Sequence, residues 1–389
     1  MQSLGGGGIF IIASSYVMST YPEEKQGGIL GALGAVNGIA SVVGPNLGSL
    51  ILKLTGNWHW LFTINLPIAV LILIFGIATI HETKADINKK LDYKGLVLLS
   101  FGIFSFMLGI SSLQSGNLLN SFLSPKILGL FILGIILFAL FVNVEKHVNK
   151  NVDPFLPYKL LRSTGFILTL FMGLLSGALI ATFIFIPSFV EQRFGIPAAT
   201  SGAWLSGIGM GSIIGAGLGG FIVNKIGATK SIVISGTLST LGFAAISYLS
   251  PTTLWFVIWS TIAGIGFGML LGAPFTVLMS EIASKKDNGV ALGTLSVSRQ
   301  VGITLAPTLY ATVIQSGFSS FLANHGGANS SIEAVYKSIQ HLSAGSAKTH
   351  LLEAFQATAT GAYQNMFLLA IIASAIILFG GFYLYKKHL

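Results

Sequence analysis

Few polar side chains lie inside the long apolar stretches of this chain, and they are its first candidates for chemistry. The leading candidates are Asn37, Asn65, Arg299 and Gln300. An ionisable group inside a membrane helix is a functional candidate by default, and Arg299 is the one basic residue in such a position. Snorkelling or a pairing with backbone carbonyls would also explain Arg299, and helix-to-helix hydrogen bonds would explain the three amides. A cavity role and a packing role are therefore both open for all four residues.

The acidic and histidine residues are placed differently. All twelve Asp and Glu residues lie between the apolar stretches or at their ends, so the sequence offers no mid-membrane carboxylate to carry a proton. An intramembrane enzyme needs a metal cluster or a nucleophile beside a base, but the seven His residues fall at membrane edges, in loops or at the C-terminus. There is no Cys, which excludes thiolate ligands and disulfides. The sequence predicts no enzyme, no metal and no cofactor.

The composition explains why polar groups are so few. Hydrophobic residues make up 53% of the 389 residues and charged residues only 8%, whereas soluble domains carry about 25% charged residues. A lipid bilayer as the solvent accounts for this composition, and the 48 Gly residues fit closely packed membrane helices. The net charge of +9 favours loops that face anionic lipid over a nucleic-acid partner.

Eleven apolar stretches come near the length of about 20 residues that spans a bilayer. Their approximate limits are 4–20, 27–52, 60–80, 95–114, 126–144, 164–190, 201–223, 231–249, 254–279, 289–316 and 363–385. Placing Lys386-Lys387 in the cytoplasm puts most other Lys and Arg residues in inside loops, as the positive-inside rule requires. We therefore predict a multi-pass protein of the cell membrane with a cytoplasmic C-terminus and an outside N-terminus.

Two regions of the chain resemble one another. Matching pairs at a nearly constant offset are Gly5 and Gly266, Gly7 and Gly268, Met18 and Met279, Ser19 and Ser280, and Gly44-Pro45 and Ala306-Pro307. Chance similarity between Gly-rich helices is the alternative explanation. A true repeat would pair the first two stretches with the ninth and tenth, and would give the first half three helices fewer than the second. Parallel repeats of this kind build one large transporter fold.

The second stretch carries a motif of small residues. Gly31, Ala40, Gly44-Pro45 and Gly48 resemble the antiporter motif of the major facilitator superfamily, with Ala40 at a point where the family has Gly. Small residues let two helices touch, and a Gly-Pro pair bends a helix and frees backbone groups. An ordinary Gly-rich packing face is the alternative.

Other segments are similar to the fourteen-span drug:proton antiporters of that superfamily. The run from Trp58 to Pro67, which includes Asn65, resembles the start of their sixth helix, although an aromatic interface belt before a Pro kink would look the same. Ser298 to Gly302, with Arg299 and Gln300, resembles a pattern in their penultimate helix. A degraded cytoplasmic loop motif is represented by Gly220, Asn224, Lys225 and Gly227, in which Asn224 replaces Asp and Lys225 replaces Arg.

The resemblance implies an all-α, two-bundle transporter of the major facilitator type with about eleven transmembrane helices present. Residues 1–80 would be the remaining three helices of the N-terminal bundle, and 81–162 a linker with two extra helices. Residues 163–389 would be a six-helix C-terminal bundle with a long outer loop, 317–362, that holds a short amphipathic helix around 332–342. The family's first three helices, with an acidic residue in the first, have no counterpart in this sequence.

The implied function is multidrug-type export of small amphipathic molecules by proton antiport. Its partners would be the substrate, protons and the lipid bilayer, and the proton gradient would stand in place of a cofactor. Because the family's acidic residue has no counterpart here, we expect this chain to transport poorly or not at all. The alternative is an inactive, truncated transporter remnant or a membrane scaffold.

Overall fold

Every apolar stretch of the sequence forms helix in the computed structural model. The structure describes residues 2–79, 90–114, 118–147, 152–284, 286–325, 331–343 and 345–387. Within these residues the only strands are a parallel pair, Lys90–Leu91 (β1) and Val152–Asp153 (β2). The prediction of an all-α membrane protein is confirmed.

The first part of the chain contains two long helices, a single turn and one further apolar helix. They are α1 (Gln2–Thr20), α2 (Glu23–Thr55), α3 (Trp60–Thr63) and α4 (Asn65–Thr79). The long helix α2 ends at Gly56, where φ is 63° and the N–H donates to the carbonyl oxygen of Leu52. This left-handed conformation is the usual glycine end to a helix. No residue of α4 is buried.

The middle part forms a pair of helices that pack on each other. Its helices are α5 (Tyr93–Ser111), α6 (Leu118–Phe122), α7 (Pro125–Lys146) and α8 (Tyr158–Leu161). Phe106 of α5 meets Phe131 and Phe138 of α7 edge to face, with ring centroids 5.6 Å apart in both pairs. Gly134 leaves the space that the Phe106 ring fills. Aromatic and small residues together therefore hold α5 against α7.

The last part contains six long helical segments and an outer helix. Its helices are α9 (Thr164–Ala181), α10 (Ile186–Phe194), α11 (Ala198–Ser201), α12 (Leu205–Ile226), α13 (Ala228–Tyr248), α14 (Thr253–Leu271), α15 (Pro274–Ile282), α16 (Asn288–His325), α17 (Ile332–His341) and α18 (Ser346–Lys386). The largest apolar core lies among these helices. A smaller cluster of Val17, Leu30, Val223 and Ala273 joins α1 and α2 to α12 and to the junction of α14 with α15.

Close helix crossings in the last part depend on glycine. Gly211 and Gly215 of α12 face the carbonyl oxygens of Thr261 and Ile265 so closely that neither could carry a Cβ atom without a shift. On the other side of the same crossing, Gly268 of α14 lies against α12 in the same way. Small residues of this kind let membrane helices approach at backbone distance.

Eight helical segments in the described residues are long and apolar enough to cross a membrane. They are Trp60–Thr79, Tyr93–Ser111, Pro125–Lys146, Thr164–Phe194, Gly202–Ile226, Ala228–Tyr248, Thr253–Ile282 and Ser346–Lys386. The other three predicted stretches are helical too. One contains the shorter apolar helix Gly8–Thr20, and the other two form α2 and α16.

The region predicted as a long outer loop, 317–362, is mostly helix. The helix α16 continues to His325 and α18 begins at Ser346. Small and polar residues lower the hydropathy of these extensions, but Ala, Leu and Gln are compatible with helix. The amphipathic helix expected around 332–342 is α17, which buries Val335, Tyr336 and Ile339.

Candidate functional site

The antiporter-like motif and the predicted loop motif meet where α2 crosses α12. A Cβ atom on Gly31 would lie 2.9 Å from the carbonyl oxygen of Ala216 and 3.0 Å from the Cα atom of Gly220. A Cβ atom on Gly220 would in turn lie 2.9 Å from the Cα atom of Gly31. These distances exclude any side chain larger than hydrogen unless a helix moves. One glycine of each predicted motif therefore belongs to the same contact.

A third helical segment joins this crossing. A Cβ atom on Gly34 would lie 2.8 Å from the Cα atom of Gly272, and one on Gly272 would lie 3.0 Å from the carbonyl oxygen of Ala216. Gly272 follows the end of α14, and Pro274 is the first residue of α15. The crossing of α2 and α12 thus lies beside a break in a membrane-spanning segment. Such breaks are common where transporter helices line a site or change direction.

The remaining members of the loop motif have separate neighbours. The exposed side chain of Asn224 lies against α2 at Gly27, where a Cβ atom would come 2.9 Å from Cγ of Asn224. The Nζ atom of Lys225 lies 4.4 Å from the centroid of the Phe221 ring. Gly227, with φ of 87°, separates α12 from α13. Asn224 is therefore the polar member of this motif that faces α2.

A crevice of about 580 Å³ opens beside this crossing at the predicted cytoplasmic end. Its lining includes Glu23 and Glu24 at the start of α2, Asn224 of α12, Glu281 of α15 and Asn288 of α16. The three carboxylates are exposed. Acidic groups on one crevice raise the local concentration of cations.

The turn between α1 and α2 is fixed by one buried amide. Nε2 of Gln26 donates to the carbonyl oxygens of Met18, at 3.2 Å, and Tyr21, at 2.8 Å. Gln26 is 7% exposed. It satisfies two carbonyl groups that the end of α1 leaves without helical partners. Gln26 therefore positions the wall of the crevice that carries Glu23 and Glu24.

The second half of the antiporter-like motif has few neighbours among the described residues. Ala40 and Gly44 are exposed, and nothing lies within 4 Å of a Cβ atom placed on Gly44. A Cβ atom on Gly48 would only touch Leu61, at 3.7 Å. The side chains of Asn37 and Pro45 lie outside the described part of the chain. The motif is thus split into a packed half at Gly31 and an open half at Gly44.

The other predicted polar candidates are not brought together. Asn65 is exposed, and its Nδ2 donates to the carbonyl oxygen of Leu61 one turn earlier, at 3.2 Å. Gln300 is also exposed. Arg299 lines a small cavity with residues of α1, including Ser14, and its buried Nε has no hydrogen-bond partner among the described residues. Of the four, Arg299 is the one that reaches a contact between the first helices and the last part.

Sequence reasoning did not single out Gln26, Ser14 or Gly272. The sequence does contain a signal for Gln26, because an amide side chain shortly after the Tyr21-Pro22 break is suited to cap the end of the preceding helix. The Gly272-Ala273-Pro274 run likewise marks a helix break. Ser14 gives no signal, because one Ser in an apolar helix is ordinary.

Comparison with known proteins gives one family. The sequence profile of the Major Facilitator Superfamily matches residues 1–307. The chain is 46% identical to the MFS-type transporter YfiU of Bacillus subtilis, over 97% of this chain and 76% of that protein. It is 32% identical to Multidrug resistance protein 3 of Bacillus subtilis, over 83% of this chain and 62% of that protein. It is 30% identical to the multidrug efflux pump SdrM of Staphylococcus aureus, over 82% of this chain and 69% of that protein.

Proposed function

This chain belongs to the Major Facilitator Superfamily, and we propose that it exports small amphipathic compounds in exchange for protons. Two of the relatives named above are called a transporter and an efflux pump. The observation that carries the proposal is the glycine crossing between α2 and α12. It joins the first helices to the last part through backbone contact at Gly31 and Gly220. A contact with so few interlocking side chains suits two units that rock against each other during alternating access.

The acidic crevice supports the choice of substrate. Glu23, Glu24 and Glu281 line it at the end where α1, α2, α12 and α15 meet. A hydrophobic cation would be attracted by the carboxylates while its apolar part remains near the helices. The names of two relatives, a multidrug resistance protein and a multidrug efflux pump, agree with this substrate class.

We further propose a fourteen-span plan in which α5 and α7 are the two extra helices between the bundles. Their support is that they pack on each other through Phe106 and its partners. In this plan the protein lies in the cell membrane with its C-terminus in the cytoplasm. The helix ends that bear Lys25 and Lys225 both border the crevice, as expected for one side of the membrane rich in basic residues.

Transport into inverted membrane vesicles tests the proposal against the sequence-based expectation that this chain transports poorly or not at all. Vesicles that contain the chain are given an inside-acid pH difference, and uptake of ethidium is followed by fluorescence. Proton-driven uptake that nigericin abolishes would support export by antiport. Gly220→Val should remove that uptake, because the new side chain meets α2, whereas Gly217→Val on the same helix has open space and should keep it. Uptake equal to that of vesicles without the protein would contradict antiport by this chain.

One observation favours an inactive remnant or scaffold as a second candidate. No residue of α4 is buried, and apolar side chains of α2 such as Val43 and Leu54 are exposed in the described structure. These helices present an extended apolar surface that lipid or other helices can cover. Co-purification of a stoichiometric membrane partner, together with absence of dye uptake, would favour the scaffold over the exporter.

A further inference from the structure

Arg299 carries a positive charge into the contact between α1 and α16. Its side chain lines a cavity of about 20 Å³ together with Ser14 of α1, Thr276 of α15 and Ser296 of α16. The rest of the lining is apolar and includes Phe10 and Leu295. A guanidinium in such surroundings is costly unless an opposite charge or several acceptors face it.

The described residues give this guanidinium no such partner. Nε of Arg299 is buried and makes no hydrogen bond, and no ion pair to Arg299 occurs among the described residues. Arg193, the other arginine in an apolar setting, shows the contrast. Its Nη2 donates to the carbonyl oxygen of Ser250 at 2.8 Å, and its guanidinium lies 5.1 Å from the ring centroid of Phe194. Arg193 leaves one Nη atom without a partner, whereas the buried Nε atom of the partly buried Arg299 has no protein acceptor in the described structure.

Ser14 supplies a second unpaired group at the same cavity. It is 1% exposed, and its Oγ is buried without a hydrogen-bond partner. Many helical Ser and Thr hydroxyls in this chain donate to a carbonyl oxygen in the preceding turn, as Ser176 does to Gly173 and Ser212 does to Gly209, both at 2.7 Å. Because Ser14 makes no such bond, its hydroxyl is available to donate into the cavity.

We propose that Arg299 and Ser14 together bind a single small monovalent anion between α1 and α16. The guanidinium supplies the charge and the hydroxyl supplies a second donor. The cavity exceeds the space of about 10–15 Å³ that one water needs, so it fits a halide ion or one oxygen of a carboxylate group. The anion is either chloride from solution or a carboxylate group of a small organic molecule. Anion binding at this site depends only on the folded protein, so it does not rest on the proposed proton-driven export.

Thermal unfolding of the purified full chain in detergent tests the site. Bromide, chloride or the small carboxylate formate replaces the larger anion isethionate at constant ionic strength, and unfolding is followed by tryptophan fluorescence. A bound anion stabilises the folded protein by mass action, so Tm should rise with bromide in a saturable way, by about 2 °C or more. Ser14→Ala should weaken the apparent affinity for bromide by about tenfold, because it removes one hydrogen bond to a charged group.

Two arginine variants separate the site from general salt effects. Arg299→Gln should abolish the saturable rise in Tm, while Arg193→Gln should lower the starting Tm but keep the rise. If Arg299→Gln does not fold, Ser14→Ala against wild type remains decisive. Competition by formate against bromide would assign a carboxylate ligand, and a response to halides alone would assign a halide ion from solution. The proposal is overturned if wild type shows no saturable response, or if Ser14→Ala shows the same response as wild type.

Discussion

The helices α2 and α16, which the internal repeat pairs with each other, have very different surroundings. A glycine on α16, Gly302, lies against α9 at Leu174, and Gly317 lies against α18 at Ala362. In contrast, the close glycine contacts of α2 among the described residues lie in its first half, at Gly27, Gly31 and Gly34. Beyond Gly34, described apolar side chains such as Val43, Leu47 and Leu54 are exposed, up to 75% for Leu54. Similar sequence patterns thus lead to different burial, because burial depends on which helices are available to pack against.

This comparison predicts the largest loss of stability where α16 crosses α9. Gly302→Val places a side chain into the carbonyl group of Leu174, whereas Gly293→Val on the same helix meets nothing within 4 Å. Overpacking of this kind should lower the free energy of unfolding by about 3 kcal/mol relative to the Gly293 variant. Thermal unfolding in detergent measures the difference. Equal Tm values for the two variants would show that α16 does not touch α9 as described.

At the crossing of α2 with α12 we expect a smaller loss in the free energy of unfolding. Gly31→Val meets Ala216 and Gly220, whereas Gly44→Val on the same helix has open space. Because described side chains in the second half of α2, such as Leu47 and Leu54, are exposed, that half can shift and relieve the clash, so we expect a difference of about 1–2 kcal/mol between the two variants. Hydrogen exchange at the start of α2 should increase for Gly31→Val alone. A loss as large as at Gly302 would mean that both helices are equally constrained.

The contacts of the outer helix α17 should contribute still less to the free energy of unfolding. The hydroxyl of Tyr336 donates to the carbonyl oxygen of Glu191 at 3.1 Å, and its ring stacks on Phe355 with centroids 4.9 Å apart. Tyr336→Phe keeps the ring and loses the hydrogen bond, which should cost about 1 kcal/mol. The control is Tyr93→Phe, at an exposed position on α5. Limited proteolysis near residues 332–341 should be faster for Tyr336→Phe only, and unchanged rates would place α17 elsewhere.

Substitutions on the exposed side of α2 and α4 should have the smallest effect on the free energy of unfolding. Ile77 of α4 is 83% exposed and Leu54 of α2 is 75% exposed. Replacing either by Ala should change the free energy of unfolding in detergent by no more than about 0.5 kcal/mol. A loss of several kcal/mol would show instead that a second copy or another helix packs on this surface.

The sequence predicts much of the fold and less of the site. Hydropathy located the eleven long apolar stretches that form helix, and a short amphipathic helix was expected around 332–342, where α17 lies. Hydropathy failed at the end of α16 and at the start of α18. The extension of α16 to His325 and the beginning of α18 at Ser346 are helical without being strongly apolar. A hydropathy pattern detects burial in lipid, not helix formation.

The site depends on contacts between residues that are far apart in the chain. Gly31 and Gly220 were each singled out by a local motif, but nothing local shows that they touch. Arg299 was recognised from its charge in an apolar stretch, yet its neighbour Ser14 could only be found in three dimensions. Asn65 of α4 matched a family pattern, and its side chain bonds to Leu61 of the preceding turn α3. The roles of these residues in transport stay predictions.

A disulfide between α2 and α12 tests most directly the claim that this crossing joins the two parts of the molecule. The chain has no Cys, so a Gly27→Cys, Asn224→Cys double variant can form only that bridge within one chain. A Cβ atom on Gly27 would lie 2.9 Å from Cγ of Asn224, which is compatible with disulfide geometry. Mild oxidation should therefore protect both thiols from maleimide labelling in membranes, whereas a Gly44→Cys, Asn224→Cys pair should remain labelled. Full labelling of both pairs after oxidation would contradict the crossing and the proposal built on it.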